Sequence, residues 1–531
     1  MKRIKKIIST LGILAMASSC GQSEISSEVV EEDTISVEKE SIVADGVAAY
    51  EGKVIASKME TKENGRRYLT VDGKPFLMMG SQLRTDFFIN LDYLELRELD
   101  RYFKLAATLS LTCVQVPVCW ADIEPTKDNY QSEYVDMFMK LSRKYDMKLE
   151  ILWFGSYMCG YSVENYVPKY VFEDKETYPR VGATEVDGWI GKQGFLYPNT
   201  PALVDRESKA LAKMMEYVYE YDRFHGGTKI VAGIQVENEP DMLTTSLHPD
   251  TQNDFTIEAT DSAETIWAEM VKHLDALGKV VKNSNYSCYT RVNMTRWSSD
   301  WPALSQDLCE TEGIDFVGVD PYASRISAIR ECLNQLSYID GNYPHIAENG
   351  GEYVNNPSME LFSFTMGAGY EIFEVITTPN EKLKDWALRG VYEVDFTKRP
   401  QTEPVIRANK IFRKACYDFA IADVGNILGF NLISNDVMEI CKEEKETNNG
   451  IKVSFETAQS GLAYFIENDN HATFASTADD KMTFSGISKI NKVEKGYYSL
   501  TGLWHSEGKV TINNNQIDLE KGVTYRMEFT K

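Results

Sequence analysis

The chain has 531 residues, 43% of them hydrophobic and 26% charged, which is an ordinary globular composition and excludes a disordered or fibrous protein. Its formal net charge of −24 would repel the phosphates of nucleic acid, so no nucleic-acid partner is expected. The nine cysteines show neither a disulfide framework nor metal-ligand spacing, and the sequence predicts no metal and no other cofactor.

The N-terminus has the order of an export signal. Basic residues within positions 2–6 precede an apolar run, Ile7–Ala17, that is too short to remain in a bilayer as a spanning helix. Small residues then lead to Cys20, an order that resembles a bacterial lipobox. The resemblance implies that residues 1–20 are a lipoprotein signal peptide. Lipidated Cys20 would then anchor the protein to the outer membrane of a bacterial envelope, on its periplasmic face or at the cell surface. A plain cleaved signal peptide is the alternative.

Residues 21–45 are acidic and lack a helical period, which predicts a flexible tether. Beyond them, short apolar runs alternate with amphipathic stretches. Apolar runs of this length are typical of parallel strands that are buried on both faces. The predicted strands are Pro75–Gln82, Leu111–Cys119, Met147–Gly155, Lys229–Glu237, Asn285–Asn293, Ile314–Asp320, Tyr343–Glu348 and Gly369–Val375.

The stretches between these runs have the period of amphipathic helices. The predicted helices are Asp92–Ser110, Ser132–Asp146, Ser208–Arg223, Ala263–Lys282, Ile326–Leu336, Ser358–Gly367 and Gln401–Ile421, whereas Trp301–Glu310 has a poor helical pattern. Alternating units of this kind predict a (β/α)8 TIM barrel over residues 46–423. A doubly wound open sheet is the alternative, but it would need a glycine-rich phosphate turn where this chain reads MMGSQLRTD.

From residue 424 the pattern changes to strand alternation. Apolar and polar residues alternate in Lys452–Glu456, Leu462–Ile466 and Val523–Phe529, with turn residues between such runs. This pattern predicts a C-terminal antiparallel β-sandwich over residues 424–531. The region Val47–Thr70 either adds a strand or two to that sandwich or caps the barrel.

Two glutamates stand where a TIM barrel carries its chemistry, at the C-terminal ends of strands. The fourth strand leads into Glu237-Asn238-Glu239-Pro240, and the seventh ends at Glu348. Glycoside hydrolysis needs two such carboxyls, one protonated to release the leaving oxygen and one ionised to attack the anomeric carbon. The two lie about 5 Å apart when configuration is retained. Their pKa values must be pushed apart, and proximity helps to do this.

The same motifs resemble a known group of enzymes. Asn-Glu after strand four and Glu after strand seven, 109 residues apart, are similar to the glycoside hydrolase clan A barrels. Val236–Glu239, together with Val116–Trp120 and Ile123–Pro125, resembles the family 35 and family 42 β-galactosidases, and Leu152–Tyr157 is similar to a bacterial branch of family 35. The resemblance implies that Glu239 is the acid/base, Glu348 the nucleophile, Asn238 a donor to the sugar 2-hydroxyl and Tyr322 a hydrogen-bond partner of Glu348.

Other candidate residues have two interpretations each. Glu237 would point to the same side as Glu239 in a regular strand, as a sugar ligand or a supporting charge. Trp120 and Trp153 line the sugar pocket or pack in the core. Gln82 and Arg84 position substrate or Glu348, or belong to a structural salt bridge. Glu124 is expected to be structural, and the alternative nucleophiles are Glu371 and Glu374.

The predicted function is therefore a retaining exo-acting β-glycosidase, most simply a β-galactosidase, whose partner is a carbohydrate. One departure concerns the loop after strand three: many family 35 enzymes carry an acidic residue there that grips galactose, and Tyr157–Tyr161 has none. Glucose, xylose, arabinose or a uronic acid are the alternative sugars. Two alternatives belong to different classes of protein. The first is a catalytically silent glycan-binding lipoprotein, against which the retained Glu239 and Glu348 count. The second is a metal-dependent hydrolase, against which the lack of histidine clusters counts.

Overall fold

The computed structural model describes residues 46–86, 96–182, 185–187, 191–245, 247, 259, 261–296, 299–378, 390–431, 444–456, 461–513 and 515–531. The predicted signal peptide with its Cys20 and the predicted tether lie outside the described residues. Among the helices of the described residues, none is long and apolar enough to cross a membrane.

Eight parallel strands close into a barrel, as the sequence predicts. They are β1 (Met79–Gln82), β2 (Cys113–Cys119), β3 (Lys148–Met158), β4 (Val231–Asn238), β5 (Tyr289–Thr295), β6 (Phe316–Asp320), β7 (His345–Gly350) and β8 (Gly369–Phe373). Each strand pairs with the next one along the chain, and β8 pairs with β1, which closes the ring. Around the barrel the order is β4-β5-β6-β7-β8-β1-β2-β3. All seven residues of β2 are buried, because the barrel interior covers one face and the helices cover the other. The predicted (β/α)8 fold is confirmed.

The helices surround this barrel. They are α1 (Leu96–Thr108), α2 (Trp120–Ile123), α3 (Glu133–Lys144), α4 (Lys169–Glu173), α5 (Pro201–Phe224), α6 (Asp241–Thr245), α7 (Ala263–Asn283), α8 (Trp301–Cys309), α9 (Ile326–Tyr338), α10 (Asn356–Thr365), α11 (Thr402–Lys414) and α12 (Cys416–Ile421). The stretch after β5, which has a poor helical pattern, nevertheless forms α8. Its Pro302 lies in the first turn, where a backbone N–H would have no hydrogen-bond acceptor within the helix, so proline is tolerated there. The last predicted helix is divided into α11 and α12 at Ala415.

A charged layer fills the middle of the barrel. Arg291 of β5 donates to both carboxylate oxygens of Glu150 at 2.7 Å and to Glu371 of β8 at 2.9 Å, and all three side chains are fully buried. A guanidinium that bridges two carboxylates satisfies buried charges that would otherwise be very costly. This ion-pair layer joins the strands β3, β5 and β8 inside the barrel.

The N-terminal segment caps the floor of the barrel. Three short strands, Ser57–Thr61, Arg67–Val71 and Lys74–Pro75, form an antiparallel sheet. Its Leu69 and Val71 pack in one apolar cluster with residues of the barrel strands, among them Ala232 and Phe316. The region therefore caps the barrel and does not add strands to the C-terminal sandwich. Further short strands lie in connections: Val54–Ile55 pairs with Tyr286–Ser287, and Ser162–Val163, Lys192–Gly194 and Val186–Asp187 pair in that order.

The C-terminal region consists of two antiparallel sheets, as the sequence predicts. Its strands are β9 (Ile427–Asn431), β10 (Lys445–Glu446), β11 (Lys452–Phe455), β12 (Leu462–Asn468), β13 (His471–Ser476), β14 (Asp480–Ser485), β15 (Lys489–Tyr498), β16 (Trp504–Lys509), β17 (Gln516–Leu519) and β18 (Thr524–Thr530). One sheet has the order β9-β12-β13-β18-β15-β16 and the other β10-β11-β14-β17. Tyr464 of β12 donates to the carbonyl of Ile411 in α11 at 3.0 Å, which joins the larger sheet to the barrel helices.

Candidate active site

The two glutamates proposed as catalytic lie at the same end of the barrel. Glu239 directly follows β4, and Glu348 lies near the end of β7. Glu348 is 5% exposed and Glu239 is half-buried, so both carboxyls sit in a mouth that is largely shielded from water. They are close enough for the charge of Glu348 to raise the pKa of Glu239. The barrel therefore brings together two carboxyls that are 109 residues apart in the chain.

Glu348 is held by two hydrogen-bond donors. The Tyr322 hydroxyl, just beyond β6, donates to Oε2, and the Gln82 amide at the end of β1 donates to Oε1 at 2.7 Å. Burial raises the pKa of Glu348, while these two hydrogen bonds and the charge of Arg84 oppose that rise. Donors of this kind fix the orientation of the carboxylate and favour its ionised form. The predicted contacts of Tyr322 and Gln82 with Glu348 are present.

Glu239 has an environment that favours its protonated form. Burial, then the negative charge of Glu348 and that of Asp241, raise the pKa of Glu239 to about 8. The Cys159 thiol and the Asp320 side chain lower the pKa of Glu239 and so oppose this rise only in part. Of the two carboxyls, Glu239 therefore has the environment that favours the protonated form, and Glu348 has the hydrogen-bond donors that favour the ionised form.

Asn293 of β5 connects the whole cluster. Its Oδ1 accepts the backbone N–H of Glu239 at 3.1 Å, and its Nδ2 donates to Asp320 at 2.7 Å and to the Oδ1 of Asn238 at 3.0 Å. The same Nδ2 lies 3.5 Å from Oε1 of Glu348. Neither Asn293 nor Asp320 is among the site residues predicted from the sequence. Asn293 and Asp320 each end a predicted strand, so a polar side chain at a strand end was the available signal for both.

Two hydrogen-bond donors fix the side-chain oxygen of Asn238. Oδ1 accepts hydrogen bonds from Gln235 at 3.1 Å and from Asn293, so Nδ2 is the group left to donate. Nδ2 lies 3.5 Å from the Cys159 sulfur, beside Glu239. This orientation suits the predicted donation to a sugar hydroxyl, which stays a prediction. Cys159 occupies the loop where the sequence lacks the expected acid.

Of the two interpretations of Glu237, the structure supports the supporting charge and not the sugar ligand. Glu237 is fully buried, and its carboxylate accepts the backbone N–H groups of Gly155, Ser156 and Tyr157 at 2.7–3.1 Å. The backbone at Glu237 has φ 60°, so the strand alternation on which the prediction rested ends there. Glu237 instead ties the end of β4 to the end of β3.

Glu237 lies beside Glu207 of α5, since the Ser156 backbone N–H faces an oxygen of each carboxyl at 2.7 and 3.4 Å. Burial, and then the neighbouring Glu207 carboxylate, raise the pKa of Glu237 well above its ordinary value. Burial would also raise the pKa of Glu207, but hydrogen bonds and the charge of His273 bring it down to about 2. A carboxylic acid beside a carboxylate is the stable state of such a buried pair.

One group of side chains in the described residues has the spacing of metal ligands. It consists of Glu207, Glu237 and His273, whose possible ligand atoms lie within 4.8 Å of one another. The Asn199 backbone N–H lies 3.4 Å from Nδ1 of His273. Nε2 lies 3.1 Å from Oε2 of Glu207. The three side chains therefore take part in a buried hydrogen-bonded network.

We expect Gly155→Ala to destabilise the protein by about 1–3 kcal/mol, the usual cost of overpacking a buried site. A Cβ at this position would lie 1.8 Å from Oε1 of Glu207 and 2.7 Å from Oε1 of Glu237. The measurement is the midpoint of chemical denaturation. Gly191→Ala is the matched control, since its Cβ would meet no described heavy atom closer than 3.6 Å. Equal midpoints for the two variants would contradict the close packing inferred around Gly155.

The remaining candidates, Arg84, Trp120 and Trp153, are held by contacts with other buried side chains. Arg84 forms a two-pronged ion pair with Asp86 at 3.0 and 2.8 Å, as the structural alternative predicted, and acts on Glu348 through its charge. Trp120 and Trp153 are fully buried, so their predicted role in lining the sugar pocket is wrong. Their indole N–H groups donate to Glu124 at 3.1 Å and to Glu207 at 2.8 Å, which makes both of them core residues.

The alternative nucleophiles are both committed elsewhere. Glu371 accepts from Arg291 and Gln115 in the charged layer of the barrel. Glu374 accepts the backbone N–H of Thr378 at 2.7 Å and its hydroxyl at 2.6 Å. Burial raises the pKa of Glu374 to about 8, which disfavours the ionised form that a nucleophile needs. Glu348 is therefore the better placed nucleophile of the three.

Comparison with known proteins gives limited likenesses. A family model described as "Domain of unknown function (DUF4978)" matches residues 270–437, and no curated protein matches the chain. A family 39 glycoside hydrolase from Bacteroides cellulosilyticus WH2 is 13% identical over 87% of this chain and 84% of that one, with a TM-score of 0.43. A β-galactosidase from Halorubrum lacusprofundi is 13% identical over 64% of this chain and 58% of that one, with a TM-score of 0.45. The exo-β-1,4-mannosidase Op5Man5 from Opitutaceae bacterium strain TAV5 is 11% identical over 66% and 61%, with a TM-score of 0.45.

Proposed function

We propose that this protein is a retaining β-glycosidase in which Glu239 is the acid/base and Glu348 the nucleophile. The observation that carries the proposal is the contrast between the two carboxyls of one barrel mouth. Glu348 accepts hydrogen bonds from Tyr322 and Gln82, whereas burial and neighbouring negative charge raise the pKa of Glu239 to about 8. A protonated and an ionised carboxyl in one site are the two groups that the reaction needs.

In the first step, an oxygen of the Glu348 carboxylate attacks the anomeric carbon. The bond from that carbon to the leaving oxygen breaks, and the Glu239 proton moves to the leaving oxygen. The products are a free alcohol, a glycosyl ester on Glu348 and an ionised Glu239. Tyr322 and Gln82 hold Glu348 in one orientation during this attack.

In the second step, Glu239 acts as the base. It removes a proton from a water molecule, whose oxygen attacks the anomeric carbon while the ester bond to Glu348 breaks. Glu348 returns as a carboxylate and Glu239 as an acid. Two inversions at the same carbon give net retention of configuration. The Asn238 amide, beside Glu239, is positioned to donate to the sugar 2-hydroxyl, a bond that strengthens in the transition state.

We further propose that the substrate is a terminal β-linked galactose at the end of a glycan chain. The exo action is supported by the long connections after strands three and four, Ser156–Leu203 and Pro240–Asp261, because long loops on one rim tend to close a cleft into a pocket. The choice of galactose is supported by the resemblance of Val236–Glu239 and Val116–Trp120 to families 35 and 42. The loop after strand three, with Cys159 in place of an acid, weighs against it.

The sugar is tested by comparing kcat/KM on nitrophenyl glycosides. We expect the β-galactoside to exceed the β-glucoside, β-xyloside, α-L-arabinoside and β-galacturonide, because polar contacts to single hydroxyls decide between epimers. A tenfold advantage corresponds to about 1.4 kcal/mol of transition-state preference. If another glycoside leads by that margin, the galactose assignment fails while the retaining mechanism stands. If none of them is turned over, the glycosidase proposal itself fails.

We propose that the enzyme is held at a bacterial envelope by lipid on Cys20. The order of basic, apolar and small residues before Cys20 supports this, since acyl chains anchor a protein by hydrocarbon burial. Cys20→Ser is expected to move the protein out of the membrane fraction when cells are fractionated. Cys159→Ser is the control for loss of a thiol and is expected to stay in the membrane fraction. Unchanged membrane association of Cys20→Ser would rule out the anchor.

A further inference from the structure

The residue after Glu348 binds the loop that follows β6. Asn349 is fully buried, and its Oδ1 accepts the backbone N–H of Ala323 at 2.7 Å. Its Nδ2 donates to the carbonyl of Ala323 at 3.1 Å and to the hydroxyl of Tyr370 in β8 at 2.6 Å. One side chain of β7 therefore satisfies both backbone polar groups of a single loop residue.

The residue before Ala323 has a backbone conformation that it would not adopt by itself. Tyr322 has φ 41°, a left-handed value that is costly for a bulky side chain and persists only where the surroundings impose it. The Tyr353 hydroxyl donates to the carbonyl of Tyr322 at 2.9 Å, and the Asn349 amide holds the next residue at both of its polar groups. In this conformation the Tyr322 hydroxyl donates to Oε2 of Glu348.

The Asn349 amide is itself held in place. The Tyr370 hydroxyl, which accepts from it, donates to Oδ1 of Asn356 at 2.6 Å, and Nδ2 of Asn356 donates to the carbonyl of Gly350 at 2.6 Å. The side chains of Asn349, Asn356 and Tyr370 are all fully buried. A buried polar network in which the members satisfy one another is rigid, so the amide presents one fixed orientation to the loop.

We propose that Asn349 is a positioning residue that acts on the nucleophile through Tyr322, by holding the backbone of Tyr322 and Ala323 in the conformation in which the Tyr322 hydroxyl meets Glu348. This inference rests on the proposed role of Glu348. Without the amide, the backbone of Tyr322 relaxes toward an ordinary negative φ, and Glu348 loses one of its two hydrogen-bond donors. Since the amide bonds to Ala323 and Tyr370 and not to the Glu348 carboxyl, its effect on the reaction passes through Tyr322.

The test compares Asn349→Ala, Tyr322→Phe and the variant that carries both changes. Loss of a hydrogen bond to a charged group corresponds to a fall in kcat/KM of about 10–10²-fold, and we expect a loss of this size from each single change. The double variant should lose no more than Tyr322→Phe alone, because the hydroxyl on which Asn349 acts is already absent. Losses that multiply would overturn the inference, since Asn349 would then support the site by another route.

The pH profile gives a further readout of the same variants. The hydrogen bond from Tyr322 lowers the pKa of Glu348, so its loss raises that pKa. Because the ionised form of Glu348 attacks, the acid limb of the kcat/KM profile should move to higher pH, by about half a unit or more, in both single variants. An unmoved limb in Asn349→Ala contradicts the proposal. The titratable and charged groups that face Glu348 are Arg84, Cys159, Glu239, Arg291, Asp320 and Tyr322.

Asn342→Ala is the matched control. Asn342 is also buried, and it pairs in the same way with the backbone N–H and carbonyl of Val317 in β6, at 2.8 and 3.2 Å. It should lower the midpoint of chemical denaturation as Asn349→Ala does, but leave the acid limb in place. A shift of the limb in the control as well would show a general effect of lost stability and overturn the inference. Asn349→Ser, a milder change, takes the place of Asn349→Ala if that variant does not fold.

A last measurement does not depend on turnover. Hydrogen exchange, followed by mass spectrometry, should be faster over residues 322–325 in Asn349→Ala than in the wild type, because the Ala323 N–H loses its acceptor. Unchanged exchange in this segment overturns the inference. If no glycoside is hydrolysed but exchange rises there, the proposed function fails, whereas the hold of Asn349 on the Tyr322 backbone stands.

Discussion

Glu348→Ala is expected to lower turnover by about 10⁴-fold or more, the scale of loss seen when a covalent nucleophile is removed. The variant retains Tyr322 and Gln82, whose donor groups then face a cavity that a small anion can enter. Azide should therefore restore part of the activity on substrates with good leaving groups. Because azide attacks directly in place of Glu348, the glycosyl azide should have the inverted configuration. The measurement is the rate with and without azide, together with the anomeric configuration of the product.

The matched control is Glu374→Gln on β8, because Glu374 is a buried carboxyl near the same end of the barrel and an alternative nucleophile. It should gain nothing from azide. Rescue of the Glu374 variant with an inverted product, or wild-type turnover by Glu348→Ala, would remove Glu348 from the mechanism.

Glu239→Ala is expected to show a loss that depends on the leaving group. General acid catalysis contributes about 10²–10⁴-fold, so turnover of substrates with poor leaving groups should fall by that factor. The first step on dinitrophenyl glycosides should be nearly unaffected. Azide should attack the glycosyl ester in place of activated water and give a glycosyl azide of retained configuration. Steady-state rates over a leaving-group series and the product configuration check this expectation.

The same residue sets the expected pH dependence. The protonated form of Glu239 is the active form in the first step, and its pKa is raised to about 8 by burial and by Glu348 and Asp241. Activity on poor leaving groups is therefore fully present at neutral pH and declines as the pH rises through about 8. Glu239→Ala should lose this alkaline limb. An inverted azide product, or a loss that is equal for all leaving groups, would contradict the acid/base assignment.

The eight barrel strands could be predicted from sequence because each is a run of residues buried on both faces. The predicted and observed strands overlap in every case, although β3 continues to Met158, beyond the predicted Gly155. Glu239 and Glu348 could be predicted because strand ends are fixed once the strands are placed. Their separation in sequence does not matter, since every parallel strand of the ring ends at the same mouth.

The partners of these glutamates could be predicted only in part. Tyr322 and Gln82 follow strand ends, but Asn293 is a polar residue within β5, and its contacts exist only because the ring closes. Glu237 was misplaced because φ 60° at that residue interrupts the alternation of side chains along β4. The two tryptophans were misplaced because a strand-end position does not decide whether an indole faces the mouth or the helices.

The glycosyl ester on Glu348, through which the proposed reaction passes, can be tested most directly by trapping it. A 2-deoxy-2-fluoro glycoside with a dinitrophenyl leaving group destabilises both transition states, while the reactive leaving group lets the first step proceed, so the ester accumulates. Peptide mapping by mass spectrometry is expected to find the fluoroglycosyl mass on the peptide that contains Glu348. The label on Glu371, on Glu374 or on no carboxyl, from a substrate that the enzyme hydrolyses in its unfluorinated form, would contradict the claim.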